Sequence, residues 1–241
     1  MHSDRSRFFS CCSFGKLVEM NYLRLKMLQG EPLPLRVRRV YCVARNYADH
    51  RIEMGGSARD MPFFFQKPHD ALFQSTTLVY PRNTSQLGFE AELVAIMQDS
   101  QNPFGYALGM DLTKRDIQSA AKSSGKPWES AKAFDFSGLL GPIIPAESFD
   151  NLVSESTRLE FSINGAVRQS ANLDQMIWKL PELISELKNQ DFGVEQGDCI
   201  FTGTPAGVGL LSVGDQCRVT LLNGENEHVI PPLSFTVLPK T

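Results

Sequence analysis

No uninterrupted apolar run in this chain approaches the ~20 residues that a membrane-crossing helix requires, which excludes an α-helical membrane protein. An excess of one charge is also missing. Across 241 residues, 24 Lys and Arg face 27 Asp and Glu, a net charge of −3 that supplies no global attraction to nucleic acid or to an anionic membrane. Cysteine is scarce, and its five positions (Cys11, Cys12, Cys42, Cys199 and Cys217) contain no Cys-x-x-Cys pair of the kind that binds zinc or runs redox chemistry. An odd, irregularly spaced set reads as thiols in a reducing compartment, here taken as the cytoplasm. Residues 35–241 hold no internal repeat, low-complexity tract or linker. What the chain does have is a 42% hydrophobic content, too high for disorder to dominate, with 16 Phe and 18 Gly. That is the composition of a strand-and-turn protein with a bulky aromatic core.

Residues 1–33 read as a leader ahead of a single catalytic domain spanning 34–241. The first 14 residues faintly imitate a secretory signal, but the apolar stretch is short and broken by serines. Met20 or Met27 is an alternative natural start. Within the domain, residues 35–43, 63–65, 89–97 and 106–110 read as strands. Residues 113–124 have helical composition and end at Gly125-Lys126-Pro127. Residues 159–163, Asn164-Gly165 and 166–168 carry the strongest hairpin signal, since Asn-Gly suits a type I′ turn. Met176, Ile177, Leu180, Leu183, Ile184 and Leu187 recur at helical spacing despite Pro181. Residues 198–201 and 218–222 read as further strands, joined through the glycine-rich stretch 202–209. Strands outnumber helices, so the expected fold is one β-rich α+β domain.

The decisive stretch is Phe89-Glu90-Ala91-Glu92-Leu93-Val94-Ala95-Ile96-Met97. On a strand, residues two apart share a face, so Glu90 and Glu92 point the same way. Unless they sit at a solvated strand end, two such carboxylates in apolar surroundings must be protonated, paired with bases or bound to a cation. Asp111 closes the apolar run 106–110. It can cap the helix that follows, or act as a third oxygen ligand in a set that favours Mg2+, Mn2+ or Ca2+ over Zn2+. His50 and Glu53 lie three apart, so on a helix the carboxylate can orient the imidazole as a general base on water; a surface pair is the plainer reading. Lys132, a lone cation in apolar company, either snorkels to water or points into an anionic site. Arg115 and Gln118 share a helical face just after Asp111 and can hold a carboxylate or carbonyl, or simply face solvent. The stretch 202–209 lacks the Gly-Lys-Ser/Thr ending of a nucleotide loop, yet its N–H groups and the Thr204 hydroxyl can contact a small anion. Residues 54–61, with Gly55-Gly56, read as a lid or a solvated loop.

Taken together, Asn46-Tyr47 with His50, Lys67-Pro68, Glu90-x-Glu92, Asp111 with Thr113 and Arg115, Pro127-Trp128 with Lys132-Ala-Phe-Asp135, and Thr202-Gly-Thr-Pro-x-Gly-Val-Gly209 resemble the fumarylacetoacetate hydrolase family. The resemblance covers about residues 36–238 and looks closest to the small single-domain branch of acylpyruvases, oxaloacetate decarboxylases and isomerase/decarboxylases. It implies a mixed β-roll, usually a homodimer, with Mg2+ or Mn2+ held by Glu90, Glu92 and Asp111. His50 with Glu53 would activate water, Lys132 would contact the substrate or the developing enolate, and Arg115, Gln118 and Thr204 would touch substrate. Two positions depart from the family pattern. Ala44 stands where Gly is usual, next to the loop that carries His50, and Phe89 stands where His commonly precedes Glu-x-Glu. The implied activity is metal-dependent hydrolysis of a carbon–carbon bond in a small 2,4-dioxo acid of the acylpyruvate or fumarylpyruvate type. The same site would serve an oxaloacetate-type decarboxylase or a keto–enol tautomerase, and a catalytically silent relative kept for binding is the third reading.

Overall fold

The computed structural model describes residues 25–47, 60–149, 152–154 and 156–240. His50, Glu53 and most of the 54–61 stretch lie outside the described residues. Among those described, β1 Val40–Ala44, β2 Phe63–Lys67, β3 Leu72–Phe73, β4 Thr77–Val79, β5 Leu87–Phe89, β6 Ala91–Met97, β7 Pro103–Asp111 and β8 Thr113–Lys114 precede helix α1, Arg115–Ser123. Four strands, β9 Gly138–Leu140, β10 Ile144–Pro145, β11 Arg158–Ile163 and β12 Ala166–Asn172, separate it from helix α2, Leu180–Asn189. β13 Cys199–Phe201, β14 Gly209–Leu210, β15 Gln216–Leu222 and β16 His228–Leu238 follow.

The strands form an eight-stranded sheet in the order β2-β1-β13-β6-β7-β9-β3 with β10 on β7, a five-stranded sheet β12-β11-β15-β16-β4, and a small sheet β14-β5-β8. Most neighbours are antiparallel, but β1 runs parallel to β13, β9 to β3 and β4 to β16. Apart from Glu92, β6 is apolar on both faces because both are covered. Val94 and Ile96 pack with Val40, Leu140 and Phe201, whereas Ala95 and Met97 pack with Leu183 and Leu187 of α2. Leu93 belongs to the largest cluster, where Phe89 and Phe161 meet with ring centroids 4.7 Å apart. Leu25 and Leu33, inside the span assigned to the leader, are buried in the same cluster as Val40 and Ile143.

The hairpin at Asn164-Gly165 forms as expected, with φ of 52° and 82°, both positive as a type I′ turn demands. Elsewhere the boundaries differ for local reasons. The single strand expected over 89–97 is divided at Glu90, where the chain passes from the small sheet into the large one. The first strand starts only at Val40; just before it Arg38 forks onto Asp198 (Nε to Oδ1 2.8 Å, Nη2 to Oδ2 2.7 Å). Met176 and Ile177 are not helical. α2 begins at Leu180 with Pro181 in its first turn, where a missing N–H costs no hydrogen bond.

Candidate active site

Glu90 sits at the junction of β5 and β6, Glu92 lies within β6, and Asp111 ends β7. β6 and β7 pair with Ala91 opposite Met110, and the ladder continues where Asp111 N–H donates to the Glu90 carbonyl at 2.8 Å. This register brings one carboxylate oxygen from each of the three acids within 4.8 Å of the others. Glu92 and Asp111 are buried and Glu90 is partly so. Asp111 does not cap α1. Asp116, in the first turn of α1, ties the helix to the preceding loop: its carboxylate accepts from Thr84 Oγ1 at 2.6 Å and from the Ser85 and Ile117 N–H groups at 2.9 Å each.

Lys132 Nζ lies 2.6 Å from Asp111 Oδ2 and 2.9 Å from Glu90 Oε2. Arg115 holds the other Glu90 oxygen at 2.5 Å and donates to Gln118 Oε1 at 3.2 Å. Lys67, fully buried at the end of β2, brings Nζ to 2.8 Å from Asp111 Oδ1. The same ammonium also donates to the main-chain oxygens of Lys132 (2.5 Å) and Leu112 (3.4 Å). Burial first, and then Asp111 and Glu90, push the Glu92 carboxyl well above the usual carboxylate range, although the Gly203 N–H donates to it at 2.7 Å. For Lys132, burial alone would lower the ammonium, but Asp111 and Glu90 reverse this and raise it above the ordinary lysine value. With the acids free of metal, Lys132 is therefore a positive donor. An all-oxygen set of three converging carboxylates, one of which cannot readily ionise by itself, suits a hard divalent cation.

The glycine-rich loop after β13 closes over the acids. Gly203 has φ of 98°, and a Cβ there would stand 2.7 Å from the Asn46 Cβ, so only glycine fits. Asn46 is buried and pinned, donating to the Trp178 and Thr202 carbonyls at 2.9 and 2.8 Å and accepting from the Trp178 N–H at 2.8 Å. Thr204 Oγ1 donates to the Ala91 carbonyl at 2.9 Å and accepts from Gln169 Nε2 at 2.8 Å. Its proton is committed internally, so towards a ligand it can only accept. Phe89, the residue in place of the family's His, packs on Phe161 in the core.

Glu90, Arg115, Gln118, Trp128, Lys132 and Thr204 all line one cavity of about 380 Å3. The structure thus gathers seven of the residues singled out from the sequence: Glu90, Glu92, Asp111, Lys132, Arg115, Gln118 and Thr204. Sequence reasoning assigned no role to Lys67, Asn46 or Gln169. The available signal was a lysine two residues after a run of three phenylalanines and just before a proline, and an asparagine two residues after an apolar strand.

Residues 39–237 match the family model described as Fumarylacetoacetate (FAA) hydrolase C-terminal. The chain belongs to the fumarylacetoacetate hydrolase family. Within that family it is 38% identical over 203 residues to the oxaloacetate tautomerase YcgM of Escherichia coli (strain K12), covering 80% of this chain and 92% of the relative. It is 33% identical over 168 residues to a fumarylpyruvate hydrolase from Ralstonia sp, covering 65% of this chain and 85% of that one. Among solved structures, the fumarylpyruvate hydrolase of Pseudomonas aeruginosa, in complex with Mn2+ and pyruvate, matches with a TM-score of 0.79 and 35% identity over 90% of this chain and 96% of that chain. The β-rich α+β architecture is accordingly that of the fumarylacetoacetate hydrolase family, as its sequence motifs lead one to expect.

Proposed function

We propose that the protein is a divalent-metal-dependent hydrolase that cleaves a carbon–carbon bond in a small 2,4-dioxo acid, with Glu90, Glu92 and Asp111 holding Mg2+ or Mn2+. The observation that carries this reading is the convergence of three carboxylates, within 4.8 Å of one another, beside a cavity that also receives Lys132. The Mn2+ and pyruvate of the Pseudomonas aeruginosa relative support it. A bound dication supplies Lewis acidity, polarising a chelating 2-oxo carboxylate and contributing several kcal/mol to transition-state stabilisation. The chain's own residues do the rest. Arg115 and Gln118 orient the acid. Lys132, held protonated by Asp111 and Glu90, donates to the substrate oxygen that gains negative charge as the bond breaks. Water adds to the distal carbonyl carbon, the bond from that carbon to the neighbouring methylene breaks, and the methylene carbon takes up a proton, giving pyruvate and a second carboxylic acid. His50, oriented by Glu53, is assigned the proton of that water; both lie outside the described residues, and their roles rest on the sequence.

A second reading, keto–enol tautomerisation or decarboxylation of oxaloacetate, is favoured by the YcgM relationship and by the 34% identity to an oxaloacetate decarboxylase of Dictyostelium discoideum. It uses the same acids and Lys132 without attacking water. Assaying fumarylpyruvate, acetylpyruvate and oxaloacetate side by side with Mg2+ and with Mn2+ separates the two. Glu90→Ala abolishes metal-dependent turnover of every substrate, and undiminished activity refutes the ligand set. Replacing His50 removes hydrolysis more severely than decarboxylation; equal loss of both refutes water activation as its role. A homodimer and a cytoplasmic location complete the proposal. Among the described residues no helix is long and apolar enough to cross a membrane, while four of the relatives are mitochondrial. Sedimentation and cell fractionation test these two points.

A further inference from the structure

A second cavity, of about 350 Å3, opens beyond the glycine-rich loop and shares no lining residue with the one beside the acids. Arg168 of β12 stands on its wall. The ladder between β11 and β12 steps from Phe161 opposite Gln169 to Ser162 opposite Val167, so Arg168 has no residue across from it. An extra residue of this kind is a β-bulge, which bends the strand and re-aims the side chain it carries. The loop is fitted to the bulge. Gly207 has φ of 93°, and a Cβ there would stand 2.1 Å from the Arg168 carbonyl oxygen, so only glycine lets the two segments touch. The Arg168 side chain is exposed, and among the described residues its guanidinium meets no carboxylate and no other acceptor.

The same cavity holds an acid that is fixed in place. Asp215 Oδ1 accepts from Asn164 Nδ2 at 3.0 Å, and its Oδ2 accepts from the Ser212 N–H at 2.8 Å. Asn164 is anchored in turn at the hairpin. Its N–H donates to the Gln216 carbonyl at 2.8 Å, and its Oδ1 accepts from the Gln216 N–H at 2.9 Å. Each Asp215 oxygen keeps a lone pair for a further donor. Arg168 and Asp215 form no ion pair with each other, although both line one cavity. Leu210, half-exposed, and buried Ile163 add apolar surface to it. A simple anion there satisfies Arg168 but is repelled by Asp215, and a simple cation meets the reverse. A small molecule with both charges on adjacent groups satisfies the two together.

We propose that this cavity binds a free α-amino acid with an aliphatic side chain, its carboxylate on Arg168, its ammonium on Asp215 and its side chain against Leu210. The site goes beyond the proposed function and does not depend on it.

The test is calorimetric titration of the full-length, Mn2+-loaded protein with L-leucine, N-acetyl-L-leucine and L-leucinamide. The second ligand lacks the ammonium and the third lacks the carboxylate, so one charge-assisted contact is removed from each. L-leucine is expected to bind about tenfold or more tighter than either. Arg168→Met weakens L-leucine by a similar factor while leaving L-leucinamide unchanged, and Asp215→Asn weakens L-leucine while leaving N-acetyl-L-leucine no weaker. Because the Arg168 side chain is exposed, its replacement leaves the core intact, which a thermal melt confirms. The wild type binds L-leucine equally well in EDTA; loss of binding there places the amino acid on the metal and overturns the site. Equal affinity for all three ligands overturns it too, as do absence of L-leucine binding and L-leucine binding that Arg168→Met leaves intact.

Discussion

Gly203→Ala is a sharp test of how the glycine-rich loop is held over the acids. Two costs combine. A side chain at φ of 98° is strained, by about 1–2 kcal/mol on the scale of left-handed residues. The new Cβ also arrives 2.7 Å from the Asn46 Cβ, and Asn46 cannot retreat without losing its hydrogen bonds to Trp178 and Thr202. Overpacking of this kind costs about 1–3 kcal/mol. The reduced freedom of the unfolded chain offsets about 0.4–1 kcal/mol, leaving a net loss of about 2–4 kcal/mol. Gly214→Ala is the matched control, because its φ is 94° with nothing within 4 Å of the added Cβ. It carries the conformational cost alone, about 1 kcal/mol. Urea unfolding of both variants in EDTA measures the difference. Mn2+ titration of the folded Gly203→Ala protein should show weakened binding, since the displaced Gly203 N–H supports Glu92. Equal destabilisation by the two substitutions refutes the packing argument, whatever its absolute size.

Other perturbations separate the electrostatic claims. In metal-free protein, Glu92→Gln raises stability at pH 7. The folded-state carboxyl is elevated by burial and by Asp111 and Glu90, so the wild type loses stability as pH rises above the unfolded value of about 4.3 towards the folded one. The gain vanishes below that unfolded value, and the same variant binds Mn2+ at least about tenfold more weakly, read by calorimetry. Asp116→Ala costs about 1 kcal/mol at neutral pH, through the lost first-turn carboxylate and its hydrogen bonds to Thr84 and Ser85. Partial burial pushes this carboxyl up, but the hydrogen bonds from Ser85, Thr84 and Ile117 outweigh it and hold it down to about 2. The wild-type advantage is therefore present above about pH 4 and lost as pH falls through the folded value, which acid-unfolding curves of the pair measure.

Much of this site was legible because strand periodicity is local. Glu90 and Glu92 two apart, and Asp111 closing an apolar run, need no tertiary knowledge to be placed on adjoining positions once β6 and β7 pair. Asn164-Gly165 likewise specifies its own turn. The break at Glu90 was not legible, since it marks a change of sheet and not a change of propensity. Pro181 misled for a related reason, because spacing shows an apolar face but not which turn comes first. Lys67 escaped because its partners, Asp111 and the main chain at Leu112 and Lys132, come together only through packing of strands remote in sequence. Asp111 itself had two admissible roles, and the choice was made by Lys67 and Lys132, whose ammonium groups hold it at the acids rather than at the helix end.

The placement of β1 has a consequence for how the protein is born. This strand, whose end presents Arg45 and Asn46, docks in parallel beside β13, and the loop that leaves β13 supplies the Gly203 N–H to Glu92. A ribosome must release nearly the entire polypeptide before these pieces can meet. Nascent intermediates thus expose the acids without their loop, and truncated translation products carry no finished centre in which to trap a metal ion.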